Sequence, residues 1–221
     1  MGERDKRRIF VIMEAFLSKI IIDYETAYKA GLRDSYAWHQ AVWGAFPGRE
    51  SEKRDFLTRL DEIDGGFRLL VFSVHRPTKP AWCPADGWEC KEITDDFFAH
   101  KKFRFSLLAN PTKKVPFSPS GERIKNSRRV PLVKREELEG WLTKKAEAGG
   151  FFVSAEATEI RGRGQSFFNK AGMNGTHMAF EFVGSLEVFD PELFRGAVRV
   201  GFGSAKAFGF GLLCLEPIAG T

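Results

Sequence analysis

FRFSLLANPTKK, Phe103 to Lys114, is the stretch on which the division of the chain turns. Over Phe103–Ala109 aromatic and apolar side chains alternate with polar ones, the pattern of a strand with one buried face. Asn110 and Pro111 break it, and Lys113 and Lys114 open a basic run. Taken as the closing strand of a first unit, the segment makes Asn110 to Asn126, with its three prolines and a Ser-Gly turn, the linker to a second.

Upstream, FLSKIII (Phe16 to Ile22) has strand character, Ser35 to Phe46 helical character, and Phe67 to Val74 strand character again. His75 to Gly87 holds Pro77, Pro80 and Pro84 and is expected to be a loop. Downstream, a short apolar run near Arg128 begins the second unit. Lys134 to Ala148 follows as a helix stopped by Gly149 and Gly150. Phe151–Ile160 and His177–Phe189 have strand patterns, and RGRGQSFFNKAGMNGT (Arg161 to Thr176) between them is expected to be a mobile hairpin or loop. Asp190 followed by Pro191 is a helix start, and Leu212 to Glu216 a last strand. The expected class is α+β, with two tandem β-α-β-β-α-β units of the ferredoxin-like kind. The expected bounds are 1–112, a basic linker at 113–127, and 128–221.

A chain of 221 residues can bury a core without disulfides. Its three cysteines, Cys83, Cys90 and Cys214, match no zinc or redox spacing and favour a reducing cytosol. His75, His100 and His177 have no second ligand at i+3 to i+5, so no metal is expected. With no P-loop or nucleotide fingerprint either, no cofactor is expected, and a small-molecule enzyme falls behind the other readings. Glu14, Ser18 and Lys19 interrupt the apolar stretch Ile9–Ile22, which is too short and polar to span a membrane and lacks a cleavage site; the expected location is the cytoplasm. The net charge of +5 is mild, yet from Lys113 to Arg135 eight basic residues face only Glu122. Lys113, Lys114, Arg123, Lys125, Arg128 and Arg129 within that run are candidates for a nucleic-acid surface.

Near the end, VGFGSAKAFGFGLLCL (Val200 to Leu215) surrounds Lys206 with Gly201, Gly203, Gly209 and Gly211. Such a loop lets backbone N–H groups approach a phosphate beside one point charge. It is equally the composition of a flexible turn before a last strand. Near the start stands YAWHQAVWGAFPG, Tyr36 to Gly48. At about 100° per residue, Ala37, Trp38, Ala41, Val42 and Ala45 gather on one side, leaving Tyr36 and His39 about 60° apart outside the apolar stripe.

The ordered set of Tyr-x-x-His, the ANPTK turn and the terminal glycine loop resembles the CasE family, the repeat-processing endoribonucleases of type I-E CRISPR systems within the repeat-associated mysterious protein superfamily. The resemblance runs from about Phe16 to about Pro217. Met1 to Met13 precede it, as a remnant added for expression, a start placed upstream of Met13 or a genuine extension. It implies metal-independent cleavage of CRISPR precursor RNA at the 3′ base of the repeat stem-loop. Attack by a 2′-hydroxyl would give a 5′-hydroxyl and a 2′,3′-cyclic phosphate, and the product would be kept as part of a Cascade complex. His39 would then move the proton and Tyr36 would bond the scissile phosphate or orient the imidazole. Gly203, Ser204 and Lys206, with Arg161, Arg163 and Lys170, would contact RNA. Some relatives carry lysine or histidine five residues after the histidine, where this chain has Gly44. A non-catalytic RNA-binding subunit of such a complex is the alternative, and Tyr36 and His39 discriminate between the two.

Overall fold

In the computed structural model, which describes residues 14–49, 52–118, 120–170 and 172–218, the chain makes a four-stranded and a five-stranded antiparallel sheet that share one four-strand design; Met1–Met13 lie outside the described residues. The first sheet contains β1 (Ala15–Asp23), β2 (Phe56–Ile63), β3 (Gly66–Ser73) and β4 (Trp88–Ile93), in the order β2-β3-β1-β4. Between β1 and β2 run α1 (Tyr24–Lys29) and α2 (Ser35–Val42), the latter continued by a 3-10 turn at Trp43–Ala45. The segment between β3 and β4 carries no helix, and α3 (Asp95–Ala99) follows β4.

The second sheet begins with β5 (Lys102–Ala109). After it come the hairpin β6 (Thr112–Phe117) and β7 (Arg123–Pro131), α4 (Arg135–Ala148), β8 (Phe151–Val153), the long hairpin β9 (Glu159–Lys170) and β10 (Met173–Val188), α5 (Pro191–Val200) and β11 (Leu213–Pro217). The order β11-β5-β10-β8 repeats that of the first sheet: first and third strands central, fourth beside first, second beside third. Two ferredoxin-like units in tandem are thus present. Asp190 starts α5 as expected, its carboxylate accepting from the N–H groups of Glu192 (3.1 Å) and Leu193 (3.0 Å).

Two expectations are corrected. Phe103–Ala109 is a strand, but it opens the second sheet instead of closing the first: Phe103, Phe105 and Leu107 point into a core with Phe182 and Phe194. The first sheet is closed by Trp88–Ile93, whose mostly exposed side chains give no apolar signal. Consequently residues 113–127 do not link the units. They belong to the β6–β7 hairpin inside the second one, and the chain passes between sheets at 94–101. Arg161–Thr176 forms a hairpin, one of the two forms expected of it, with Thr176 opposite Phe167 and Glu181 opposite Arg161.

Trp38 and Val42 of α2, with Phe46, pack on Ile20, Ile22, Leu69 and Val71 of the first sheet. Leu57 and Phe72 point the other way and join the aromatic core of the second unit. That shared face carries a buried ionic network. Arg59 donates to Asp61 (2.9 Å), Ser106 (2.6 Å) and Glu181 (2.6 Å), while Arg68 holds the other oxygen of Asp61 at 2.9 Å. Burial alone would push the Glu181 carboxyl up, but hydrogen bonds from Arg59 and Ser106 outweigh it and its pKa falls below the ordinary value. The network fixes β2 against β5 and β10. No helix among the described residues is long and apolar enough to cross a membrane, and the three cysteines are free thiols.

Candidate active site and nucleic-acid interface

Helix α2 is set in place through its first turn. Asp34 caps it, accepting from the N–H groups of Tyr36 (2.9 Å) and Ala37 (2.8 Å), and its second oxygen accepts from the Asn169 N–H at 3.2 Å. Ser35 donates to the Phe167 carbonyl at 3.0 Å. One acidic cap therefore starts the helix and ties it to β9.

Tyr36 is half-buried, its ring 6.5 Å from that of Phe208 in the 3-10 turn Lys206–Phe208 of the glycine loop. One turn further on, His39 lies between Phe56 (5.7 Å) and Trp43 (6.5 Å). It lines a cavity of about 300 Å³ between the units, shared with Thr58, Arg163, Gln165, Ser166 and Phe208. His39 is 9% exposed, so the expectation that it sits outside the buried arc is corrected. The wheel found the stripe that meets the first sheet. It could not show that β9 and the glycine loop of the second unit cover an adjacent arc of the same helix.

Gly44 lies in the 3-10 turn that continues the helix, where a Cβ would meet Pro80 (3.9 Å) and Trp82 (4.0 Å).

The middle turn and the glycine loop, far apart in sequence, meet in space. Ser204 donates to the Asn110 carbonyl at 2.9 Å, and the Asn110 amide donates to the Met178 carbonyl at 3.0 Å. Gly203, at φ +80°, has no room for a side chain, because a Cβ would lie 2.9 Å from the Trp141 ring. Lys206 is turned inward, its ammonium 2.9 Å from the Val200 carbonyl at the end of α5. Burial pushes its pKa down, and the charges of Arg54 and Lys145 add to that. The loop is thus a braced turn whose one lysine caps a helix.

Lys114, Arg129, Gly203 and Ser204 line a second hollow of about 310 Å³, completed by Lys144 and Lys145 of α4. Lys114 and Arg129 are direct cross-strand partners. Like charges opposite one another on a ladder are destabilising unless an anion lies over them. Arg123 and Lys125 are exposed along β7, and Arg128 braces the hairpin by donating to the Phe117 carbonyl at 3.0 Å. Lys113 is engaged with Glu137 at 2.7 Å. Arg161 chelates Glu159 with two bonds of 2.6 Å, whereas Arg163 reaches the His39 cavity beside Glu181 at 3.9 Å. Lys170 ends β9, and its side chain lies outside those described.

The sequence reading missed Lys144, Lys145 and Arg54. The two lysines look like ordinary basic residues in the last turns of a helix, and Arg54 sits between elements with no pattern. Among the described residues no three His, Cys, Asp or Glu side chains gather as a metal site.

The sequence model of the family described as CRISPR associated protein matches residues 15–217. The chain is 31% identical over 209 residues to the CRISPR system Cascade subunit CasE of Escherichia coli, covering 92% of this chain and 100% of that relative. It is 27% identical over 218 residues to the CRISPR-associated endoribonuclease Cse3 of Thermus thermophilus, covering 91% and 100% respectively. The solved structure of Thermus thermophilus Cse3 bound to an RNA representing a pre-cleavage complex is similar with a TM-score of 0.71 at 26% identity, over 92% of this chain and 100% of that one.

Proposed function

This chain belongs to the CRISPR associated protein family, and on that premise we propose that it is an endoribonuclease cutting CRISPR precursor RNA at the 3′ base of the repeat stem-loop without a metal ion. The observation that carries the proposal is the placement of Tyr36 against Phe208 of the glycine-loop turn and of His39, one helical turn on, in the lining of the cleft between the two units. Cleavage of this kind needs a proton removed from the 2′-hydroxyl, charge stabilised on a crowded phosphorane, and a proton returned to the departing 5′-oxygen. His39 carries one of those protons; imidazole titrates close enough to neutrality to act as base or acid. The Tyr36 hydroxyl bonds the phosphate or orients the ring. The products are a 5′-hydroxyl and a 2′,3′-cyclic phosphate.

Recognition rests on the shape of an A-form stem more than on base edges. Lys114, Arg129, Lys144 and Lys145 form one basic hollow, and Arg123 and Lys125 extend it along the hairpin. Arg163 on β9 reaches the cleft, and Arg161 lies two residues before it on the same strand. The relative CasE is a Cascade subunit, and this chain is proposed to remain on its product within such a complex in the cytoplasm. The test is cleavage of end-labelled repeat RNA with and without a 2′-deoxy substitution at the scissile nucleotide, followed by end-group analysis. A cyclic phosphate from the ribose substrate alone is expected. A 3′-hydroxyl product would refute the chemistry, and tight binding without a cut would favour the non-catalytic RNA-binding subunit.

A further inference from the structure

Arg54 lies in the segment before β2, half-buried, with no carboxylate partner among the described residues. Its guanidinium sits 5.9 Å from the centre of the Phe56 ring, the same ring that flanks His39 at 5.7 Å. One of its NH groups donates to the Lys206 carbonyl at 2.8 Å, which fixes the fork against the glycine-loop turn. That turn carries Phe208, against which Tyr36 rests. Arg54 is therefore linked to His39 through Phe56 and to Tyr36 through the glycine-loop turn. Burial pushes the Arg54 pKa down, with no acid among the described residues to offset it, and Arg54 in turn depresses Lys206. A half-buried cation without a counter-charge is costly, and an anion that enters its site relieves that cost.

Building on the proposed function, we infer that Arg54 is a catalytic residue that binds a non-bridging oxygen of the scissile phosphate and stabilises the charge of the phosphorane. Lys206, whose ammonium is taken up by the Val200 carbonyl, holds the loop instead. A planar fork with one donor anchored on a carbonyl matches a phosphate better than a flexible ammonium would.

The test compares wild type, Arg54→Gln and Arg54→Lys in two assays. In single-turnover cleavage of repeat RNA at saturating protein, Arg54→Gln should lower the rate about 100-fold or more, and Arg54→Lys less. In binding, wild type should prefer a stem-loop ending at the cut in a 3′-phosphate over one ending in a 3′-hydroxyl, and Arg54→Gln should lose that preference while retaining affinity for the 3′-hydroxyl RNA. A merely structural Arg54 would weaken both RNAs equally and leave the preference intact, which would overturn the inference. Cleavage by Arg54→Gln at the wild-type rate would overturn it too. Failure of wild type to cut at all would instead overturn the function on which it rests.

Discussion

Glu181→Ala should separate the two units more effectively than any change in the cleft. The carboxylate accepts from Arg59 and Ser106, at 2.6 Å and 2.9 Å, and both members of its ion pair are nearly enclosed, at 7% and 9% exposed. Removing one partner of a buried pair leaves an uncompensated charge and costs about 3–5 kcal/mol. Arg59 keeps Asp61 at 2.9 Å, which places the expected loss near the lower figure, about 3 kcal/mol. For a chain of this length that lowers the midpoint of thermal unfolding by about 6–12 °C. Calorimetry or circular dichroism near neutral pH reads it directly. The effect should depend on pH with a definite sign. Burial opposes ionisation of Glu181, the hydrogen bonds win, and its folded pKa lies below the ordinary 4.5. Its stabilising contribution is therefore complete above that value and is lost as pH falls through the folded pKa, so wild type and variant should converge in acid. A loss of less than about 1 kcal/mol at neutral pH, or a gap that does not narrow on acidification, would refute the network as the bond between the units.

Gly203→Ala should destabilise the glycine loop by about 1–3 kcal/mol, through a positive φ and collision with Trp141, and should slow cleavage more than it weakens stem binding. Limited proteolysis at the loop together with single-turnover kinetics checks both parts. His177, stacked on Phe168 at 4.8 Å, has its pKa lowered by burial; its protonation favours the unfolded state, so the protein loses stability as pH falls below about 6.5. Substitution of His177 by Phe should remove that loss, seen as a flatter unfolding midpoint between neutral and mildly acidic pH. Lys144→Glu with Lys145→Glu should weaken stem-loop binding and reduce the slope of log affinity against log salt by about 2, measured by filter binding.

The sequence showed the elements with strong local chemistry and hid those without it. The Asp190–Pro191 start of α5 and the glycine stop of α4 are local signals and came out where expected. The alternation of Phe103–Ala109 revealed a strand with one buried face, but alternation does not say which strands lie beside it. That choice depends on pairing with residues up to 114 positions away, as Phe103 opposite Pro217 illustrates. Strand β2 was overlooked although Asp64–Gly65 joins it to β3, a dipeptide well suited to a tight hairpin. Strand β4, WECKEI, is too polar and exposed to be visible from composition. Tyr36 and His39 were legible as a pair at helical spacing, whereas the burial of His39 required the second unit. Arg54 was silent because its partner is a carbonyl 152 positions away.

The central claim is that His39, held between the two units, moves the proton that allows an RNA 2′-hydroxyl to cut its own chain. It is tested most directly by single-turnover cleavage of labelled repeat RNA in excess chelator, by wild type and by His39→Ala, with stem-loop affinity measured alongside. The account predicts one cut by wild type under these conditions and a rate at least about 100-fold lower for the variant, with binding retained. Equal rates for the two proteins, or a strict requirement for a divalent cation, would contradict it.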